Sequence, residues 1–530
     1  MYRRPTGQMF IEDFALPFEG KLNASNRWAK LANMIPWERI EKDYADLFPS
    51  HTGTVAKPLR MALGSLIIKE RCGFTDRETV EQITENPYLQ YFIGLEKYQI
   101  EPPFDPSLMV FFRKRLDRDI IKMINEMICQ KKTSKGAVRK KPKDKDPDGP
   151  PGQPEENKGK ILPDATAACA PADEPKEPES NEPTDKDPDT HPGGSNAFEV
   201  WKPEEHKGKL LLDATCAPAD IKYPTDLSLL NEAREKTEKA IDTLYNPDLG
   251  LAKKPRTYRK LARRDYLKIA KQRRPHFKAI RKAIGKQLCY LRRNLDTIDS
   301  LLMLDGHGKL SNRQQRELET IRILFDQQRQ MYQTRTHQIE NRIVSISQPH
   351  VRPIVRGKAR AETEFGAKVA ISMVDGYAFI DHLSWDAFNE SSYLIQAVED
   401  YKQRYGYYPE AVLADQIYRS RGNLAFCREH GIRLSGPPLG RPPLINRQEK
   451  RIERLDMKER NAVEGGFGVC KRRFSLARVM ARLKETAESI ISLQFLVMNL
   501  EHRLRLLYCR FFCALWETFL GRSFTEYAVV

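Results

Sequence analysis

Long apolar stretches are missing from this sequence of 530 residues. The most apolar tract, residues 490–500, is shorter than the roughly 20 residues that a membrane-spanning helix requires, and Glu501, His502 and Arg503 follow it at once. Residues 1–18 contain no apolar core of a secretory signal. We therefore expect a protein that does not enter a membrane and that works in the cytoplasm.

Paired cysteines are missing as well. The nine cysteines are scattered along the chain and form no Cys-x-x-Cys motif. Cys509 and Cys513 are one helical turn apart, a spacing that fits packing in a core better than metal ligation. We expect reduced thiols, as is usual in a cytosol.

Acidic residues are nearly absent from the most basic part of the chain. The net charge of +17 already favours a polyanionic partner. Within residues 253–293, Asp265 is the sole acid among many lysines and arginines, and four aromatic residues are interleaved. A solvated helix face normally mixes charges, so this run predicts a surface for DNA phosphates rather than an aid to solubility. The arginines that we expect to contact DNA are Arg263, Arg264, Arg273 and Arg274.

Aliphatic residues are scarce between 131 and 205, where Pro, Lys, Asp and Glu dominate, and this composition predicts a disordered linker. One island in it nearly repeats residues 203–215, so that Asp164 corresponds to Asp213. In the first copy Pro163 would remove a hydrogen-bond donor from a central strand. The second copy runs directly into sequence that looks ordered. We therefore take Asp213 as the working residue and Asp164 as a degenerate duplicate.

Two apolar segments lead into aspartates. Three consecutive leucines precede Asp213 and predict a short strand, buried on both faces, that ends at this carboxylate. Residues 410–414 predict a second apolar strand, which ends at Asp415. A buried carboxylate is costly unless a cation meets it, so each aspartate suggests a metal ion or a basic partner. From this strand alone, Asp213 could equally well be a residue that caps the following turn without binding a metal ion or a basic partner.

A third acid, Glu464, lies on a segment with helical periodicity. Arg460 precedes it by four residues and Lys471 follows it by seven, so a helix places all three on one face. Three nearby glycines weaken this helix and suggest that something approaches its backbone closely. Three converging carboxylates are hard oxygen ligands suited to Mg²⁺ or Mn²⁺. A pair of such ions can activate the attacking oxygen and stabilise the leaving oxygen in phosphodiester chemistry. Arg460 and Lys471 would meet the phosphate charge.

The remaining pattern is helical at the N-terminus and mixed after Pro353. Short helices are predicted up to residue 130, one of them starting at Thr75 with Glu78 three residues on, as in a capping box. These helices suit a DNA-binding module or a plain helical bundle almost equally. A polar helical stretch follows at 226–345.

The C-terminal half alternates strands and helices. Strands are predicted at 365–374 and 377–383, joined by a tight turn at Asp375 and Gly376. The predicted elements after them are a helix at 391–405, a strand at 432–435, a helix at 448–459 and a long helix at 483–507.

The order of these elements and acids resembles the RNase H-like core of bacterial insertion-sequence DDE transposases. The spacing of Arg460, Glu464 and Lys471 resembles the subgroup whose third acid lies in a Tyr-Arg-Glu-Lys signature, although Met457 stands where that signature has tyrosine. Residues 85–92 and 104–107 are similar to the helical N-terminal domain of the same transposases, and the sequence around Asp213 to Asp226 also looks like that family.

The resemblance implies an α/β RNase H-like catalytic core with a helical N-terminal domain and a long all-helical insertion after the first core strand. The predicted regions are a helical N-terminal DNA-binding domain at 1–130, a linker at 131–205, a catalytic core at 206–226 and 350–482, a basic helical insertion at 227–349, and a helical C-terminal segment at 483–530.

The resemblance also implies an activity: metal-dependent cleavage at transposon ends by water, followed by strand transfer by the freed 3′-OH. Asp213, Asp415 and Glu464 would hold two Mg²⁺ or Mn²⁺ ions. The expected partners are double-stranded DNA, at the transposon ends and the target, and a second copy of the chain, in the bacterial cytoplasm with the nucleoid.

Two other interpretations remain open at the level of sequence. One is a structure-selective nuclease on the same fold that cuts without joining, because the acids are shared. The other is an inactive DNA-binding protein derived from a transposase, which the duplicated linker and Met457 favour. The persistence of all three acids beside Arg460 and Lys471 favours an enzyme.

Overall fold

The structure is a computed structural model. It describes residues 2, 10–17, 20–46, 48, 55–129, 206–247, 253–305, 310–358, 361–437, 439 and 447–520. The expected linker at 131–205, including Asp164, lies outside the described residues. No helix in the described ranges is long and apolar enough to cross a membrane.

The N-terminal region is helical, as predicted. Thr75 begins a helix with the expected capping box: its hydroxyl accepts the Glu78 amide at 3.2 Å, and Glu78 Oε2 accepts the Thr75 amide at 2.8 Å. Buried Leu63 and Phe92 belong to the shared apolar core of these helices. The helices are α1 (Arg27–Met34), α2 (Trp37–Ala45), α3 (Leu59–Cys72), α4 (Asp76–Glu85), α5 (Pro87–Phe92), α6 (Leu108–Arg115) and α7 (Arg118–Cys129).

The C-terminal part has an α/β fold with one mixed β-sheet, in which some strands are parallel and others antiparallel. Its strands are β1 (Lys209–Pro218), β2 (Arg352–Lys358), β3 (Ala361–Val374), β4 (Tyr377–Ser384), β5 (Ala411–Leu413) and β6 (Arg433–Leu434). The strand order is β2-β3-β1-β5-β6, and β4 also pairs with β3. Strand β3 is antiparallel to β1, β2 and β4, whereas β1, β5 and β6 are parallel to one another.

The hairpin between β3 and β4 confirms the prediction made from its turn residues. Asp375 and Gly376 connect the strands with φ angles of 50° and 82°. Positive φ at both positions is what a two-residue turn of this hand requires, and Asp and Gly tolerate it.

Strand β1 is longer than predicted. It does not end at Asp213, because β3 offers ladder partners as far as Gly366, which pairs with Pro218. A Cβ atom at Gly366 would lie 2.1 Å from the Ala217 carbonyl oxygen, so only glycine permits this close approach. Asp213 therefore lies in the middle of a paired strand. Strand β2 was not predicted at all.

Between β1 and β2 the described part of the chain forms four α-helices. They are α8 (Asp226–Leu244), α9 (Arg259–Ala270), α10 (Phe277–Asp305) and α11 (Asn312–Thr334). They have an apolar core of their own, in which Leu230, Leu291 and Leu324 are fully buried.

Helices cover both faces of the sheet. On one face, Leu210 and Leu212 pack with Leu394 and Val398 of α12 (Leu394–Tyr405) near α13 (Arg421–Glu429). The opposite face packs against α14 (Arg447–Arg473) and α15 (Lys484–Leu520), and the same core continues into the N-terminal helices. Helix α14 runs unbroken where we predicted a helix ending near residue 459, and α15 extends well beyond the predicted end at residue 507. Residues 391–393 of the predicted helix form a 3₁₀ turn, Glu390–Tyr393.

Candidate active site

Asp213 and Asp415 occupy equivalent positions on neighbouring parallel strands. Lys209 pairs with Ala411 and Leu211 with Leu413. Continuing this register by two residues places Asp213 beside Asp415, on strands that lie about 4.8 Å apart. Alternation along a strand puts Lys209, Leu211 and Asp213 on one face, and this is the face where α14 packs.

The surroundings of Tyr418 support this proximity. Burial raises the pKa of the Tyr418 hydroxyl far above its usual range, and the carboxylates of Glu390, Asp213, Asp381 and Asp415 raise it further. Both aspartates therefore lie within electrostatic reach of one hydroxyl group.

Each aspartate is oriented by its own chain. Asp213 Oδ1 accepts the amide of Ala214 at 2.7 Å, and Asp415 Oδ1 accepts the amide of Gln416 at 2.7 Å. Asp415 caps the 3₁₀ turn Gln416–Tyr418 that follows β5. Its side chain is 63% exposed, so a ligand can reach it from solvent.

Three ion pairs fix α14 against the strands. Asp456 pairs with Arg433 of β6, Glu459 accepts from Lys209 of β1 at 2.7 Å, and Arg460 NH1 donates to Asp415 Oδ1 at 3.0 Å. These α14 residues follow one another at helical spacing along a single stripe.

Glu464 is the next position on this stripe, one turn after Arg460. Its side chain is exposed and makes no hydrogen bond or ion pair with the described part of the chain. In those ranges, no three acidic, histidine or cysteine side chains are arranged to hold a metal ion. The structure thus brings Asp213 and Asp415 together and places Arg460, rather than Glu464, against Asp415. Lys471 lies two turns further along α14 and is half-buried.

The glycines after Glu464 do not interrupt α14, although we predicted that something approaches the backbone closely there. A Cβ atom at Gly466 would lie 3.4 Å from Met373 Sδ of β3, an ordinary contact distance, and one at Gly465 would meet open space. No described residue therefore requires glycine at these two positions.

The predicted DNA-contacting arginines are all on the surface. Arg263 and Arg264 lie on α9, and Arg273 and Arg274 lie in the turn before α10. No carboxylate in the described ranges pairs with any of the four. Asp265, the acid within this run, accepts hydrogen bonds at its Oδ2 atom from Lys286 Nζ at 3.0 Å and from the Tyr290 hydroxyl at 3.2 Å.

Sequence reasoning missed two residues of these surroundings: Tyr418, and Glu390, whose carboxylate also acts on the Tyr418 hydroxyl. Tyr418 directly follows the Asp415 turn, and that position was the available signal. Glu390 had no local signal, because its place depends on packing between two 3₁₀ turns. Lys368 Nζ of β3 holds Glu390 Oε1 at 2.9 Å.

Comparison with known proteins gives two family matches. Residues 412–501 match the family described as a transposase DDE domain, a span that includes Asp415, Arg460, Glu464 and Lys471. Residues 16–115 match the family described as a transposase domain (DUF772).

One curated relative and the solved structures complete the comparison. The chain is 35% identical over 95 residues to "Uncharacterized protein ORF8 in nfe locus" of Rhizobium meliloti, an alignment that covers 18% of this chain and 45% of that protein. The chain therefore matches less than half the length of this relative. No solved structure matches the chain. The two family matches agree with the helical N-terminal region and with the acids facing α14: residues 16–115 are similar to a transposase domain, and residues 412–501 are similar to a transposase DDE domain.

Proposed function

We propose that this protein cleaves DNA at the ends of its transposon and joins the freed 3′-OH to target DNA. The observation that supports this most is the placement of Asp213 and Asp415 side by side on parallel strands, facing a helix that carries Arg460 and Glu464. Hydrolysis and strand transfer are both phosphodiester substitutions, so one site serves both.

The sheet topology supports an RNase H-like core. Its antiparallel strands β4, β3 and β1 are followed by the parallel strands β5 and β6 in the order 4-3-1-5-6. In this proposal, residues 206–226 and 350–482 form the core and residues 227–349 are an insertion after its first strand. Residues 1–130 would form a helical DNA-binding domain.

The donor atoms fit a divalent metal. Asp213 and Asp415 offer carboxylate oxygens, the ligands that Mg²⁺ and Mn²⁺ prefer, and Glu464 would complete the set from α14. Bound ions, two in this proposal, would supply charge to activate the attacking oxygen and to stabilise the leaving oxygen. The chain itself orients the carboxylates through backbone amides, and Arg460 and Lys471 would bind the phosphate.

The exposed arginines of α9 and of the turn before α10 would bind double-stranded DNA through its backbone. Two ends must be processed in one event, so we propose that a pair of chains works together. The site of action would be the chromosome in the bacterial cytoplasm.

The alternative of an inactive DNA-binding protein has two structural observations in its favour. Arg460 sits on Asp415, and the described residues form no complete three-ligand metal site. A strand-transfer assay separates the proposals. With Mg²⁺ and a labelled duplex that carries an end of the chain's own element joined to flanking DNA, we expect a cleaved 3′-OH end and labelled joint molecules with plasmid DNA. Cleavage without joining would indicate a nuclease, and neither product would indicate the inactive protein.

The duplicated segment gives a separate prediction. Deletion of residues 140–195, or the change Asp164→Asn, is expected to leave cleavage within about twofold of the wild type, because Pro163 excludes the first copy from a central strand at a cost of about 1–3 kcal/mol for the unpaired carbonyl. Cleavage of the same end substrate measures this.

The competing idea is an exchange of the two copies in the sheet. It requires Asp213→Asn to retain activity that the further change Asp164→Asn removes. If Asp213→Asn alone is inactive, the exchange is ruled out.

A further inference from the structure

Arg460 forms an ion pair with Asp415, a carboxylate that the proposed metal site needs. Its NH1 atom lies 3.0 Å from Asp415 Oδ1, an oxygen that already accepts the Gln416 amide at 2.7 Å. A guanidinium keeps its positive charge at every physiological pH. In this structure a permanently charged side chain of the protein is therefore paired with Asp415.

This ion pair differs from the pair between Arg433 and Asp456, which also joins α14 to the sheet. Asp456 is buried where it pairs with Arg433, and that pair fixes the helix against the sheet. The Arg460 and Asp415 side chains are 30% and 63% exposed. Exposed ion pairs stabilise a fold only weakly, so Arg460 can leave Asp415 while α14 stays in place.

A DNA phosphate is the group that can take Arg460 away. Guanidinium groups bind phosphate oxygens through two parallel hydrogen bonds, which a carboxylate oxygen contacted by one nitrogen does not offer. Glu464, one turn along α14, makes no bond to Arg460 or to any other described residue. At this helical spacing Glu464 is the carboxylate that a phosphate would have to outcompete for Arg460.

We propose that Arg460 is a positioning residue that exchanges Asp415 for a DNA phosphate, so that Asp415 is released to a divalent metal only when DNA is bound. This inference rests on the proposed function, because it takes Asp415 as a metal ligand. The coupling is reciprocal: whatever displaces Arg460 favours the metal, and whatever removes the Asp415 charge favours DNA.

The first test measures metal binding without DNA. Free Mn²⁺ is followed by electron paramagnetic resonance during titration of the full chain. Arg460→Gln is expected to bind Mn²⁺ about fivefold more tightly than the wild type, because Asp415 no longer has a competing cation. Arg454→Gln, an exposed arginine on the same helix, is the matched control: it removes the same charge and is expected to change affinity by less than about twofold.

The second test measures DNA binding without metal. In EDTA, with a duplex oligonucleotide of arbitrary sequence, Asp415→Asn is expected to tighten binding about fivefold, because Arg460 is already free. Glu464→Gln removes the same charge one turn away and controls for electrostatic repulsion. In an Arg460→Gln background, Asp415→Asn is expected to give no gain beyond that control.

The outcomes separate the two levels of the proposal. Equal Mn²⁺ affinities of Arg460→Gln and Arg454→Gln would overturn the exchange. In that case the metal site still stands if Asp415→Asn weakens Mn²⁺ binding. If Asp415→Asn binds Mn²⁺ as well as the wild type does, Asp415 is no ligand and the proposed metal site itself fails.

Discussion

Replacement of Asp415 by asparagine is expected to lower cleavage at the transposon end by at least about 10³-fold, because the amide lacks the charge that holds a divalent ion. A rate loss of this size corresponds to the loss of several kcal/mol of transition-state stabilisation. Asp213→Asn and Glu464→Gln are expected to be equally inactive. DNA binding should persist in all three variants, since the arginines of α9 lie on other elements.

The measurement is cleavage of a labelled end duplex in Mg²⁺, beside a binding assay on the same preparation. Asp375→Asn is the matched control. Asp375 lies in the β3–β4 turn with φ at 50°, a conformation that asparagine adopts as readily as aspartate. Wild-type cleavage by Asp415→Asn would remove this residue from the proposed site.

Local chemistry made several elements predictable. The β3–β4 hairpin follows from Asp375 and Gly376, and the start of α4 follows from Thr75 and Glu78, because each depends on residues only a few positions apart. The stripe that carries Arg460 and Glu464 was likewise readable from helical spacing.

Features that depend on distant partners were not predictable. Strand β1 continues past Asp213 because β3, more than a hundred residues later, pairs with it as far as Gly366. The contact between Arg460 and Asp415 joins a helix to a strand end, and no periodicity encodes it. The placement of Asp213 beside Asp415 needed the parallel register of β1 and β5.

The basic surface gives the second large effect. Changing Arg263, Arg264, Arg273 and Arg274 together to glutamate is expected to reduce the slope of log affinity against log salt by about 3 to 4, because each phosphate contact contributes about 0.9. The four side chains are exposed and have no carboxylate partner in the described ranges. The slope is measured by titrating duplex DNA at several salt concentrations, with circular dichroism to verify folding.

The basic end of α6 is a second candidate for DNA contact, but two of its arginines already have partners within the protein. Arg113 makes two hydrogen bonds to Asp76, at 2.7 and 2.8 Å, and Arg115 lies over the Phe48 ring at 4.8 Å. A control variant reverses Lys239, Arg316 and Arg329, three exposed charges on α8 and α11, and is expected to change the slope by less than about 1. If the four-arginine variant keeps the parental slope while the control loses it, DNA lies along α8 and α11. If neither variant changes the slope, the DNA contact lies elsewhere, and the α6 residues are the next candidates.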